Sequence, residues 1–473
     1  MDVKNLGFTP DEWRRGLIEA VAKGEVKHFV RNDGQVVVQL ALFADAEQYI
    51  ADQLDILQQA ETTPIELFPD IWGDIKPDPS QEEALEKIAK YNIAILNGGP
   101  GTGKTTIAKT LAAAAIEAGY TVVGLAPTGI AALRLSQSLE QECTTIHRAL
   151  TRTFAKDTLF LIDETSMLDV IVAAQMLARM KPGCRIVFIG DEFQLPSVGA
   201  GAFLRDILTK IPTAKLARIH RQKAGSAISE AAAAIKLGEI PAQPCDGGEW
   251  QWWEATNDDE IVSRILWLVD AAKEHLGCTQ ADCVVLAAQK NGTAGVNALN
   301  LALQNYWNPD DYAWAPVAIA DGLEARPKDI VINNVNNYDL GIVNGEFGIV
   351  EFTDPGGLEY DVSRVAVSKK ASGPVVMIVK FVDRYIGLRK HEAKRLNLGY
   401  ATTVHKSQGN QWPCVIYAVT ESQRRVGSRT NIYTALTRAQ RYAIAVGQSS
   451  ALLKYVQNAG EQNRSTTLAT RLK

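Results

Sequence analysis

At 473 residues, with 46% hydrophobic and 22% charged, the chain has the composition of a folded protein with more than one core, not of a disordered or fibrous one. A net charge of −5 provides no global basic field, so a polyanionic partner would have to be met by a local groove. Of the six cysteines only Cys278 and Cys283 lie close in sequence, and no second pair offers zinc spacing. No apolar run reaches the ~20 residues of a bilayer span, and MDVKNLGF lacks the pattern of a secretion signal; a reduced, cytoplasmic protein without membrane association is expected.

The first 75 residues read as helix, hairpin, helix. Thr9-Pro10-Asp11-Glu12 supplies a cap and a proline at the first helical position, and Asn32-Asp33-Gly34 supplies a hairpin turn. A second helix is expected over Ala46–Gln59. The order suggests a winged-helix-like module, a shape that serves DNA contact or plain packing. A Pro- and Asp-rich linker (PDIWGDIKPDPS) follows.

Beyond it, short apolar runs (NIAILNGG, TVVGLAP, TLFLIDE, RIVFIGD) alternate with helices, the pattern of a doubly wound parallel sheet buried on both faces. The pattern returns after residue 214 in CVVLAAQ, CVIYAV and YAIAVGQ. Between these lies a β-rich stretch, residues 309–392, containing VNGEFGIVEF with an Asn344-Gly345 turn. The fold class is therefore α/β, with two parallel sheets and a small β insertion.

NIAIL runs directly into GGPGTGKTT, a phosphate-binding loop. Gly98, Gly99, Pro100, Gly101, Thr102 and Gly103 let backbone amides converge on phosphate oxygens, and a helix N-terminus stands behind them. Lys104 adds a point charge, Thr105 a magnesium ligand, and Thr106 completes the turn. ATP and Mg2+ are the expected ligands. In LFLIDETSM, Asp163 ends a strand where it can hold magnesium and Glu164 is placed to activate water; Asp191 and Gln194 reach the same carboxyl edge in RIVFIGDEFQLPSVG. Arg221 in LARIHRQ and Arg438 in YTALTRAQ read either as solvated charges or as arginines reaching a γ-phosphate across a cleft. Trp250, Trp252 and Trp253 in WQWWE read as core or interface residues, or as a stacking wedge.

As an ordered set these segments resemble superfamily 1 helicases, in particular the 5′-to-3′ branch of RecD-like and phage Dda-like enzymes. The resemblance runs over roughly residues 80–450. Gln81 in DPSQEEAL is similar to an adenine-reading glutamine, GGPGTGKTT to motif I, APTGIAA to Ia, TTIHRAL to Ib, LIDETSM to II and GDEFQLPSVGAG to III; LARIHRQ, YATTVHKSQG and YTALTRAQ resemble IV, V and VI. The likeness implies that Gln194, Arg221 and Arg438 contact the γ-phosphate. It also implies that Pro127, Thr128, Gly129, His147, Thr403, His405, Lys406 and Ser407 line the path of a single strand. Hydroxyls, backbone amides and a lysine suit phosphates without reading sequence.

The implied organisation is an N-terminal module at 1–75, RecA-like domain 1A at 76–213 with a 1B remnant at 151–157, domain 2A at 214–308 and 393–473, and an SH3-like domain 2B at 309–392. The implied activity is an ATP-dependent helicase moving 5′-to-3′ on single-stranded DNA in replication, recombination or repair. It would act as a monomer, with proteins of those processes as partners. Two departures qualify it. Gln411 stands where the family usually has glutamate. Only seven residues, Thr151–Asp157, occupy the place of the family's strand-separating pin, enough for a turn or minimal hairpin. A translocase that unwinds little, a P-loop switch acting on a protein, and an RNA track remain alternatives at the level of sequence.

Overall fold

The computed structural model describes residues 9–30, 34, 36–68, 70–216, 226–243, 248–310, 315–361, 363–382, 384–460 and 464–472. Arg221 and the turn residues Asn32 and Asp33 lie outside the described residues.

Six strands form the first sheet, in the order Thr144–Thr145, Thr121–Ala126, Thr158–Ile162, Arg185–Gly190, Ile93–Gly98, Thr213–Leu216. Every neighbouring pair is parallel. Three central strands are buried along their whole length, which only helices on both faces allow. The last strand crosses the division expected at 213/214, so the first sheet extends to Leu216. A second, five-stranded sheet is also wholly parallel: Ala401–Thr403, Cys283–Ala287, Trp412–Val419, Ala439–Gly447, Trp250–Glu254. The α/β parallel-sheet expectation is met in both.

The insertion forms a six-stranded sheet in the order Val365–Val367, Arg384–Arg389, Val375–Phe381, Phe347–Thr353, Ile330–Asn333, Leu396–Leu398. Its pairs are antiparallel except the first. The sheet runs past the expected end at residue 392, because Leu396–Leu398 closes against Ile330–Asn333. Ile330, Met377 and Val379 share one apolar core with Val285 and Ile416 of the second sheet. The insertion is thereby fixed to that sheet rather than tethered to it.

At the N-terminus, Thr9 caps the helix Pro10–Ala22 in a reciprocal capping box with Glu12. The hairpin Val26–Val30/Val36–Leu40 leads into a helix at Ala41–Gln59, five residues before the expected start. No capping side chain marks that start; Leu40, at φ −56° and ψ 137°, turns the strand directly into the helix. Ile50, Leu54 and Leu57 enter the core of the first sheet. The C-terminus departs from expectation. The turn Leu468–Arg471 leaves the second sheet's body and buries Leu468 and Leu472 in the core of the first. There the Thr467 amide donates to the buried Glu47 carboxylate at 2.9 Å, and Arg464 Nη1 donates to the Gly199 carbonyl at 2.7 Å.

The segment Thr151–Asp157 contains no strand. Phe154 packs edge-on against Phe160 at 4.9 Å and Cys184 Sγ donates to the Ala155 carbonyl, so the loop is laid down on the body of the sheet. Trp250 is buried, while Trp252 and Trp253 are part-buried on an edge strand and Trp253 meets Trp267 edge-on at 5.0 Å. The core-or-interface reading of the WQWWE segment is the one the packing supports.

Candidate nucleotide cleft and strand groove

The strand Ile93–Gly98 delivers the phosphate-binding loop to the carboxyl edge of the first sheet, and the helix Lys104–Glu117 leaves from it. Gly101 and Gly103 hold φ of +75° and +89°, left-handed values that admit glycine without strain. A Cβ at Gly98 would stand 2.8 Å from Thr102 Oγ1, which donates to the Gly99 carbonyl. Lys104 Nζ donates to the carbonyls of Gly98 and Gly99 at 2.5 and 2.9 Å. Burial pushes its pKa below the usual lysine value, and the carboxylates of Asp191, Asp163 and Glu164 partly offset that shift.

Asp163 is pushed up to about 6, first by burial and then by the neighbouring Glu164 charge. Its Oδ1 accepts from the Glu164 amide at 2.8 Å. Glu164 itself has φ +50°, a left-handed conformation that costs a non-glycine residue energy. Gln81 is buried, closing the capping box of its own helix with the Asp78 amide and reaching the Thr102 carbonyl at 3.4 Å.

The second sheet closes the other side. Arg438 is 2% exposed, with Nη1 3.9 Å from Glu164 Oε1 and 3.4 Å from the Asn410 carbonyl. Its Nε has no hydrogen-bond partner among the described residues, nor does the buried Gln194 Oε1. Both residues line one cleft, and their unpartnered atoms are a donor on Arg438 and an acceptor on Gln194. The cleft measures about 680 Å³ and is lined from the first sheet by Gln81, Lys104, Thr105, Thr106, Asp163, Glu164 and Gln194, and from the second by Gln411, Arg438 and Gln440. The motif residues Pro100, Gly101 and Gly103 also line it, while Gly98, Gly99 and Thr102 shape it from behind.

Tyr433 was not singled out by sequence, yet its hydroxyl donates to Asp191 Oδ2 at 2.8 Å across the cleft. Leu195 is gripped similarly: its amide donates to Thr434 Oγ1 at 2.9 Å and its carbonyl accepts from Gln408 Nε2 at 2.9 Å. The loop carrying Gln194 is thus clasped by the second sheet. Tyr433, Thr434 and Gln408 fall within the YTALTRAQ and YATTVHKSQG segments, but which residues they meet across the cleft is not written in either.

A second hollow of about 270 Å³ unites residues from three parts of the chain. Pro127, Thr128, Gly129 and His147 come from the first sheet, His405 and Lys406 from the second, and Asn336, Tyr338, Asn344 and Gly345 from the insertion. Thr128 Oγ1 caps the helix Gly129–Leu139 by accepting from the Ala131 amide, and Thr403 Oγ1 accepts from the Lys406 amide. Thr403 lines a smaller adjoining hollow together with Lys406. Ser407 is fully buried, its hydroxyl donates to the Val404 carbonyl at 2.8 Å, and it does not line the hollow. Lys406 Nζ donates to Asn334 Oδ1 at 2.7 Å, and burial lowers its pKa, with the Lys290 charge adding to the effect. Among the described residues no helix is long and apolar enough to cross a membrane.

Comparison with known proteins now bears on both sites. The family described as "AAA domain" matches residues 76–247, and "UvrD-like helicase C-terminal domain" matches 398–446. The ATP-dependent RecD2 DNA helicase of Deinococcus radiodurans is 34% identical over 384 residues, 79% of this chain and 49% of that protein. The RecBCD enzyme subunits RecD of Mycolicibacterium smegmatis and Mycobacterium tuberculosis are 27% and 29% identical, covering 98% and 86% of this chain and 87% and 75% of theirs. Over most of its length the chain is similar to RecD-type helicases. It spans about half the length of the Deinococcus relative, so that relative's activity is not transferred whole. Bacteroides Pif1 bound to ssDNA aligns over 79% of this chain and 92% of its own at 20% identity with a TM-score of 0.49, too loose to carry a residue across.

Proposed function

We propose that this RecD-like chain is an ATP-driven DNA helicase that moves 5′-to-3′ along single-stranded DNA. The observation that carries it is the cleft in which Lys104, Asp163 and Glu164 of one parallel sheet face the buried Arg438 of another. In this reading the two sheets are RecA-like domains 1A and 2A, and the antiparallel insertion is the SH3-like 2B. The phosphate loop amides and Lys104 hold the ATP polyphosphate, while Gln81 and Gln411 stand at the nucleoside side. Thr105 and Asp163 offer the hydroxyl and carboxylate oxygens that Mg2+ takes when phosphate and water complete its shell. The ion, when bound, neutralises charge on the phosphates. Glu164 orients and deprotonates the attacking water. Arg438, whose orphaned Nε–H a phosphate oxygen would accept, stabilises the charge that develops in transfer, while Gln194, whose orphaned Oε1 is an acceptor, takes a hydrogen bond from the attacking water.

Directional movement requires that nucleotide state reach the groove. Leu195 and Asp191, on the Gln194 loop, are already bonded to Thr434, Gln408 and Tyr433 of the second sheet. Closing or opening the cleft therefore shifts the body that carries His405 and Lys406 against the one that carries Thr128 and His147. The chain acts as a monomer in this scheme, in the cytoplasm, with replication or repair proteins as partners.

ATP hydrolysis measured with and without oligo(dT), followed by unwinding of duplexes with a 5′ or a 3′ single-stranded tail, tests the proposal. Stimulated turnover and unwinding from the 5′ tail are expected; turnover indifferent to DNA would sink it. A second reading, translocation with little unwinding, is favoured by one observation: the Thr151–Asp157 loop lies flat on the sheet, with no pin to part a duplex. Stimulated turnover without unwinding from either tail would select it.

A further inference from the structure

The tip of the insertion, residues 334–346, reaches over the groove and is built to stay in place. Asn337 and Ile342 exchange two backbone hydrogen bonds, of 2.7 and 3.0 Å. Asn333 Nδ2 donates to the Val335 and Val343 carbonyls, and Glu346, 1% exposed, accepts from the Val343 amide and pairs with Arg384. The tip also touches both parallel-sheet bodies. A Cβ at Gly129 would stand 2.5 Å from Val343 Cβ, and Asn410 Nδ2 donates to the Gly345 carbonyl at 3.3 Å.

From this rigid tip Tyr338 projects with 56% of its surface exposed, at the wall of the groove. The Arg148 guanidinium lies 5.3 Å from the ring centroid, and Asn336 Nδ2 donates to the tyrosine hydroxyl at 3.2 Å. The remaining wall, from Pro127, Thr128, His147, His405 and Lys406, offers hydroxyl, imidazole and ammonium groups suited to the strand's backbone, but no benzene-type ring. An exposed aromatic face held between an amide and a guanidinium, on a loop fixed at both ends, is pre-oriented for a flat apolar surface.

We propose that Tyr338 stacks on a base of the bound strand, with Arg148 as the positioning residue that fixes the ring. This makes the insertion a third contributor to the strand site, the one that touches bases where the other two hold the backbone. It rests on the groove being a single-strand site, and the test separates the two claims.

The probes are a fluorescent oligo(dT) and an abasic oligonucleotide of equal length, which keeps the phosphates and lacks the bases. Binding of each to the full chain is followed by anisotropy at fixed salt. Tyr338→Ala is expected to lose about tenfold or more in affinity for oligo(dT) and under about twofold for the abasic strand, while Tyr338→Phe keeps both affinities. Because each variant is compared with itself on two probes, a general loss of folded protein cancels. Equal losses on both strands, or no loss on either, would overturn the stacking role and leave the groove assignment standing. Wild-type protein that binds neither strand would instead overturn the groove reading itself. Arg148→Ala should reproduce part of the oligo(dT) loss in the Tyr338 background of wild type and none of it in Tyr338→Ala.

Discussion

The proposed nucleotide cleft and the proposed strand groove both draw on the same two parallel sheets, but they are built on different physical terms. The cleft is closed by burial: Lys104 has its pKa lowered, Asp163 has its raised, and Arg438 is 2% exposed with an unpartnered Nε. Charges kept from water at this density interact strongly and invite a charged ligand. The groove is closed by geometry: its walls come from three parts of the chain, His147 and Tyr338 are open to solvent, and its hydroxyls already serve as helix caps. A buried constellation of charges concentrates its function in a few side chains. An open groove spreads binding over many weak contacts, so single substitutions should bite hard in the first and lightly in the second.

Lys104→Ala and Arg438→Ala should give the largest effects, each lowering kcat for ATP hydrolysis by roughly a thousandfold, the scale on which fixed cations act on a transferring phosphoryl group. Steady-state ATPase with saturating oligo(dT) reads this directly. A loss of less than tenfold at either position would break the contrast, because the buried charges would then be scaffolding. Next comes Leu468→Ala, on the C-terminal turn. It removes a fully buried side chain from the first sheet's core, and thermal or urea unfolding should report a loss of about 2–4 kcal/mol. Since that core supports both sites, ATP and DNA binding should fail together as the protein unfolds. Loss of one site before the other would show that the C-terminal turn acts locally.

What sequence could reveal follows the same division. Gly98 to Thr106 and the strand ending at Asp163 lie on single strand–loop–helix units, where phosphate chemistry dictates the local backbone and so writes a contiguous pattern. Both parallel sheets were legible from alternating apolar runs for a similar reason. Tyr433 and Thr434 lie inside the YTALTRAQ segment, yet their partners could not be read from it, because they meet Asp191 and Leu195 from more than two hundred residues away. The Asn344-Gly345 step reads as a hairpin turn, and nothing in it announces that the preceding loop touches Gly129. The helix at Ala41 began without a capping side chain, and so without a signal. The division at residue 213 missed the last strand because Thr213–Leu216 is short and sits at the sheet's edge.

Inside the groove, Lys406→Ala should weaken oligo(dT) binding by about tenfold, the worth of one charge-assisted hydrogen bond, and raise correspondingly the DNA concentration giving half-maximal ATPase stimulation. Raising salt should narrow the gap between wild type and variant, since the lost contact is electrostatic. A gap that persists unchanged would point to the Lys406–Asn334 bond as a structural tie between the second sheet and the insertion.

Ser407→Ala is the smallest expected change and the most discriminating, because motif and structure disagree about it. By resemblance the serine touches the strand; in the structure its hydroxyl is buried against the Val404 carbonyl one turn back. Each residue of a helical turn rotates the side chain by about 100°, so in Val404–Ser407 the residues His405 and Lys406 face the groove while Val404 and Ser407 turn inward. Losing a neutral hydrogen bond of this kind costs about 1 kcal/mol of stability at most, and oligo(dT) affinity should shift by less than about twofold. A tenfold loss of affinity at unchanged melting temperature would mean that strand binding turns the segment Val404–Ser407 and brings the hydroxyl out. The groove would then be remodelled by its ligand, and the contrast with the pre-formed nucleotide cleft would become one of dynamics as well as of burial.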